Sequence, residues 1–180
     1  MIETHHFMSL DSTNEEAKRR LKDINPNEDF VLVITSDTQT KGRGQKNRVW
    51  HSESDGGLYY TCAFTPKTLT VQDLETLSVK VGKRLVEKLN ADHNLDVALE
   101  WPNDILLDDK KCGGILIESI TRSKHASPDF VIVGIGFNVN QTTFPDHLRA
   151  IAISLRQKNQ KVYNKDTFRD LFTQELMACR

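Results

Sequence analysis

Apolar positions along the chain follow two different periods. Phe30–Ser36 (FVLVITS) and Leu58–Phe64 (LYYTCAF) are apolar and rich in β-branched or aromatic residues, which predicts two buried strands. Across Thr70–Asn90, Leu74, Leu77, Val81, Leu85 and Leu89 recur at spacings of three and four, which predicts a helix with one apolar face. Val97–Trp101, Gly114–Ser119 and Asp129–Asn140 read as further strands. Asp166–Ala178 closes the chain with a helix whose core stripe is Phe168, Leu171, Phe172 and Leu176. Near the N-terminus, IETHHF predicts a first strand and STNEEAKRRL a helix. Ser12 and Glu15, three residues apart, are expected to form its capping box. This order of elements predicts an α/β or α+β fold: a mixed sheet with flanking helices.

Composition narrows the class. A chain of 180 residues is enough for one domain with a sizeable core. With 38% hydrophobic residues and a net charge of −1, neither disorder nor a general affinity for nucleic acid is indicated. No apolar run approaches the ~20 residues of a membrane span. MIETHHFMSL lacks the basic region and apolar core of a secretion signal. Cys62, Cys112 and Cys179 are widely spaced and contain no C-x-x-C, so they read as reduced thiols of a cytoplasmic protein. There is no internal repeat, low-complexity run or inter-domain linker.

Three stretches carry candidate chemistry. The first, TKGRGQKNRVW (Thr40–Trp50), lies in a long connection between two strands, where function often resides. Its glycines allow close backbone approach, its Arg and Lys suit oxyanions, and Trp50 offers a flat ring. Taken alone it is also compatible with a solvated basic turn. It is not a Walker A loop, and GIGFNV at Gly134 lacks the third glycine of a dinucleotide turn. The second, EWPNDILLDDKKCGGILIES (Glu100–Ser119), reads as a hairpin. Pro102 is expected to keep Trp101 extended. With Asp108-Asp109 as the turn, Asp104 and Lys111 point to one face and Gly113 opposes Asp104. An acid, a lysine and a gap on one face suit Mg²⁺ with a phosphate or carboxylate. A plain surface ion pair is the simpler alternative. The third is DSTN (Asp11–Asn14). Locally it reads as a helix cap, or as a helix start that binds a polar group through Ser12 or Thr13. His5 and His6 read as surface residues, and His51, His93, His125 and His147 show no metal-ligand spacing.

Taken together and in order, DSTN, TQTKGRGQKNRVW, GGLYYT, EWPNDILLDDKKCGGILIES and GIGFNVN resemble the catalytic domain of biotin–protein ligases over roughly Phe7–Asn140. The resemblance implies a mixed α/β sheet related to class II aminoacyl-tRNA synthetases and lipoate ligases. It implies activation of biotin by ATP and Mg²⁺ to biotinyl-5′-AMP, then transfer to a lysine of a biotin carboxyl carrier protein such as that of acetyl-CoA carboxylase. It places biotin at Ser12, Thr13, Gln39, Gly42, Arg43, Lys111 and Gly114. It places ATP at Arg48, Trp50, Asn103, Lys111 and Asn138, and the metal at Asp104. Lys111, Arg43 and Arg48 would then be the catalytic cations. No nucleic-acid or membrane partner is implied.

The chain departs from the family pattern at three positions. Gln45 stands where many members have a second loop arginine, Asn47 where glycine is frequent, and Glu100 where a lysine often precedes W-P-N-D. Weaker retention of the adenylate is expected, unless Lys41 and Lys46 compensate. Read from 1 to 180, the chain is expected to be a single catalytic domain, a short form without an N-terminal helix-turn-helix or a C-terminal SH3-like domain. The alternatives are a lipoate or octanoyl transferase of the same fold, or a non-catalytic module that binds biotin or its adenylate.

Overall fold

A computed structural model describes residues 2–52, 56–122 and 127–180. His125 and the side chain of Asn47 lie outside the described residues. Seven strands form one mixed sheet in the order β1-β2-β3-β7-β6-β5-β4. They are β1 (Ile2–Leu10), β2 (Val31–Gln39), β3 (Gly57–Phe64), β4 (Val97–Glu100), β5 (Asp104–Leu107), β6 (Lys110–Ile120) and β7 (Phe130–Asn138). Only β1 and β2 run parallel; every other neighbouring pair is antiparallel. Helix α1 (Thr13–Leu21) falls within STNEEAKRRL, and α2 (Leu74–His93) and α5 (Lys165–Met177) fall where the periodicity predicts them. Two short helices, α3 (Asp146–Arg149) and α4 (Leu155–Asn159), carried no periodic signal.

Strand alternation divides the sheet into two faces. Val31, Val33, Tyr60, Cys62, Phe64, Val131, Val133, Ile135 and Phe137 point to one side, where the stripes of α2 and α5 bury them. Phe137 meets Phe168 and Phe172 edge-on, with ring centroids 5.4 and 5.6 Å apart. Arg84 of α2 donates to the buried Glu175 of α5 at 2.6 Å and ties the two helices together.

The opposite face is covered only in part. Ala17 and Leu21 of α1 pack on Leu32, Ile34, Ala63, Phe130 and Ile132. Farther along the same strands, Thr61 and Gly134 lie under Thr13 and Asn14 in the first turn of α1, and Gly136, past the end of the helix, lies under Trp50. β7 therefore reads, on this face, as two large apolar residues followed by two glycines.

Three local expectations need correction. Ser12 does precede α1, but its hydroxyl makes no capping bond, and Glu15 pairs with Lys18 and Arg43 instead of closing a capping box. Trp101 is not held extended: it sits in the turn from β4 to β5 and is joined to Pro102 by a cis peptide. The Asp108-Asp109 turn is as expected, both residues having positive φ, 51° and 57°. The register beyond it is not. Leu107 pairs with Lys110 and Leu106 with Lys111, but a bulge then sets Ile105 against Gly113 and Asp104 against Gly114.

The thiols of Cys62 and Cys112 are fully buried, and burial raises both, that of Cys62 to about 12. Cys179 is partly accessible. A disulfide-exchange dye at pH 8 should release at most one thiol equivalent from the native protein and three after denaturation. Two rapid equivalents in the native state would contradict this packing.

Candidate active site

The uncovered half of the α1 face is the floor of a cavity of about 490 Å³. That size suits a small organic ligand. The DSTN segment and Gln39 form one wall; the β5–β6 hairpin and residues 144–152 form another; the glycine–arginine loop closes over the top. Ser12, Thr13, Gln39, Arg43, Arg48, Trp50, Asn103, Asp104, Lys111, Gly114 and Asn138 all line it. Gly42, assigned to biotin with them, is absent from the described lining. A Cβ there would come within 2.3 Å of Trp50 O and 2.6 Å of Ser52 Oγ, so the loop packs on itself at this point.

The bulge in β6 produces the central geometry. Without it, residues three apart on a strand face opposite ways. With Cys112 as the extra residue, Lys111 and Gly114 share the cavity face with Asp104. Lys111 Nζ lies 2.7 Å from Asp104 Oδ2. Asp104 Oδ1 is buried and has no donor. The backbone of Lys111 is pinned as well: its N–H donates to Ile151 O at 2.8 Å, and its O accepts from Ile153 N at 3.1 Å and from Asn138 Nδ2 at 3.3 Å. Asn138 Oδ1 in turn accepts from Gln141 Nε2 at 3.0 Å. Asn103 donates to Ile115 O at 3.0 Å, which fastens the β4–β5 turn to β6.

Trp50 lies against the floor. A Cβ on Gly136 would be 2.3 Å from its Cε2, and one on Gly114 would be 3.1 Å from its Cζ3. Lys111 Nζ stands 5.4 Å from the indole centroid. The loop carrying Trp50 is a small hairpin: Arg43 bridges Val49, Gly44 N donates to Arg48 O at 2.7 Å, and a 3-10 turn spans Gln45–Asn47. Arg43, expected as a catalytic cation, has its guanidinium bonded to Glu15 and near Glu118 (3.5 Å). The hydrogen bond from Lys18 outweighs the opposing effect of burial and, with a smaller contribution from Arg43, holds the Glu15 carboxyl below its ordinary range. Gln45, Arg48 and Glu100 reach the cavity, whereas Lys41 and Lys46 are absent from the described lining.

At the other end, Thr13 N donates to Gln39 Oε1 at 2.9 Å and Gln39 Nε2 to Ser52 Oγ at 3.0 Å. Behind them Asn14, Thr61 and Glu118 form a hydrogen-bonded chain. Sequence reasoning assigned nothing to Asn14, Thr61, Glu118 or Gln141, nor to the wall of Phe144, Leu148 and Ile151. Asn14, Thr61 and Glu118 lay inside quoted motifs. The spacing of Gly134 and Gly136, two apart on a strand, was the readable sign of a bared floor.

Residues 7–138 match the model of the Biotin/lipoate A/B protein ligase family. The chain belongs to that family. It is 34% identical over 154 residues to the bifunctional ligase/repressor BirA of Bacillus spizizenii, covering 84% of this chain and 46% of that protein. It is 29% identical over 127 residues to the biotin–[acetyl-CoA-carboxylase] ligase of Mycobacterium tuberculosis, covering 69% and 44%. The chain thus spans a little under half the length of these curated relatives. The biotin protein ligase of Aquifex aeolicus, solved with biotin and ATP, superposes with a TM-score of 0.77 at 30% identity over 98% of this chain and 69% of that one. The Leishmania major biotin protein ligase, solved with biotinyl-5-AMP, gives 0.75 at 25% identity over 97% and 72%. The mixed sheet with flanking helices is the fold of this ligase family.

Gly136→Ala, made in a Trp101→Phe background so that Trp50 is the single indole, should move the emission to longer wavelength as the ring lifts from the floor. Far-ultraviolet circular dichroism should stay the same. An unchanged emission maximum would show that the floor has slack.

Proposed function

We propose that this chain is the catalytic domain of a biotin–protein ligase. It activates biotin with ATP to biotinyl-5′-AMP and passes biotin to a lysine of a biotin carboxyl carrier protein such as that of acetyl-CoA carboxylase. The observation that carries this reading is the Lys111–Asp104 pair beside Gly114 and Trp50, in one cavity with Ser12, Thr13 and Gln39. The names of its relatives support the same reading. The three thiols, none of them in a disulfide, and the absence of any described helix long and apolar enough to cross a membrane accord with action in the cytoplasm.

In the first step a biotin carboxylate oxygen attacks the α-phosphorus of ATP. The new bond is C(O)–O–P, and the bond to the pyrophosphate oxygen breaks. Two anions must be brought together, so the protein's task is to neutralise and orient them. Lys111 is placed for this: its backbone is fixed by residues 151–153, so the ammonium is delivered to a defined point beside the floor. Arg48 supplies a second cation from the loop. Arg43 serves by holding the loop to Glu15 and Glu118. Ser12, Thr13 and Gln39 would bind the vitamin ring, and Asn103, Asn138 and Trp50 would line the nucleotide side. Loop and hairpin together would exclude water from the mixed anhydride. In the second step the carrier amine attacks the acyl carbon and AMP leaves.

The residues fit a magnesium ion. Asp104 Oδ1 is a buried carboxylate oxygen without a partner. Among the described residues no group of three or more acids, histidines or cysteines could hold a metal, so phosphate oxygens and water would complete the shell, as is usual for Mg²⁺ with nucleotides. Bound there, the ion would offset phosphate charge.

Lys111→Ala should lower biotin-dependent pyrophosphate exchange by at least ~100-fold, the scale of a lost transition-state contact, while the thermal midpoint stays within a few degrees. Near-normal exchange would refute the role of Lys111, and exchange with lipoate in place of biotin would refute the substrate. Gln45 lines the cavity and brings no charge to it. Gln45→Arg should slow release of biotinyl-5′-AMP; an unaltered off-rate would remove Gln45 as the cause of weak retention.

A further inference from the structure

Thr13 sits on the cavity wall, and its hydroxyl has one hydrogen to give. Where that hydrogen goes decides what Thr13 can bind. The contacts behind it allow one order. Asn14 Nδ2 lies 2.8 Å from Glu118 Oε2, and a carboxylate oxygen only accepts. Asn14 Oδ1 must therefore face Thr61 Oγ1, which lies 2.6 Å away. An amide oxygen also only accepts, so Thr61 gives its single hydrogen to Asn14. The 2.7 Å contact between Thr61 Oγ1 and Thr13 Oγ1 is then donated by Thr13. Gln39 Oε1, 3.2 Å from Thr13 Oγ1, accepts from Thr13 N–H at 2.9 Å and has a second lone pair, but a hydroxyl hydrogen sent there would leave the Thr13 and Thr61 oxygens 2.7 Å apart with none between them. The hydroxyl of Thr13 is left with lone pairs alone toward the cavity.

We infer that Glu118 is a positioning residue that sets the direction of the chain Thr13→Thr61→Asn14→Glu118 and so makes Thr13 an acceptor-only contact for a ligand N–H. Thr13, Asn14 and Thr61 are almost wholly buried, at 4%, 3% and 0% exposure, so water cannot easily reset the order. Gly134 protects it too, because a Cβ there would strike Asn14 Oδ1 at 2.4 Å. Lys18, at 2.7 Å, and Arg43 occupy the other oxygen of Glu118 and leave Oε2 to Asn14. The inference rests on the biotin reading above and deepens it. The cyclic urea of biotin carries N–H groups. The dithiolane of lipoate has none and would leave a buried acceptor unpaired, which is costly. Selection between the two vitamins thus starts at a carboxylate that lies behind the wall.

The test measures biotin binding, then KM and kcat in pyrophosphate exchange, for wild type, Glu118→Gln, Thr61→Val, Thr13→Val and the double variants. A glutamine can offer Asn14 either an oxygen or an amide N–H, so the order is no longer enforced. Glu118→Gln should raise Kd and KM for biotin roughly tenfold, about the effect of one hydrogen bond, with kcat and the KM for ATP within twofold. Thr61→Val breaks the chain without changing charge and should do the same. In a Thr13→Val background neither change should add to the loss, because both act through the Thr13 oxygen. Additive losses, or a fall in kcat with KM unchanged, would overturn the inference while leaving the ligase reading intact. Failure of the wild type to bind biotin at all would overturn both.

Discussion

Helix α1 is too short for the strands beneath it. Its nine residues span about 13 Å at 1.5 Å each, whereas the nine residues of β7 extend for roughly 30 Å. Half of one sheet face therefore stays open, and what lies there determines the chemistry. Under the helix the strands present Ile132, Ala63 and Phe130, with Thr61 and Gly134 beneath its first turn; past its end they present Gly136. Behind the site, Tyr60, Ile135 and Phe137 are buried on the other face under α2 and α5, so the site rests on a packed floor. An aromatic ring from the loop can then lie flat where side chains would otherwise stand.

A single inserted residue in β6 brings acid, lysine and glycine onto that floor. The spacing from Lys111 to Gly114 has the wrong parity for a regular strand, and the bulge at Cys112 corrects it. Cys112 itself turns into the core, where its thiol lies 3.4 Å from Asn138 O. The irregularity thus faces both ways: one side anchors it, and the other assembles the charged pair.

Most of the architecture could be read from the chain. The continuous apolar runs marked β2, β3 and β7, and the leucines every three or four residues marked α2. Buried patterns of this kind arise from a core that tolerates few alternatives. The motifs located the cavity-lining residues, because close approach needs glycine and anions need cations. Local geometry was less legible. Ser12 with Glu15 matches a capping box, yet Lys18 and Arg43 offered Glu15 stronger partners than a backbone N–H. Asp104 with Lys111 was placed on one face correctly, but Asp104 was expected opposite Gly113 and pairs with Gly114, since a bulge leaves no mark in composition. Helices α3 and α4 are too short to show a period. Glu118 and Thr61 were hidden for a different reason. Their part depends on hydrogen-bond direction across β3, β6 and α1, which no single stretch of sequence contains.

The zipping of residues 151–153 onto the backbone of Lys111 bears on how the site comes into being during synthesis. All of the recognisable motifs have left the ribosome once Asn140 has emerged, and the family match itself ends at residue 138. At that moment Phe137 still awaits Phe168 and Phe172, and Lys111 still lacks its partners at Ile151 and Ile153. A nascent chain at this stage would carry every signature of the family with Lys111 unseated. Competence would arrive only when the least distinctive forty residues fold back. The same holds for anyone trimming the gene to its conserved-looking part: the cut that looks natural on paper falls before the strut that holds the lysine.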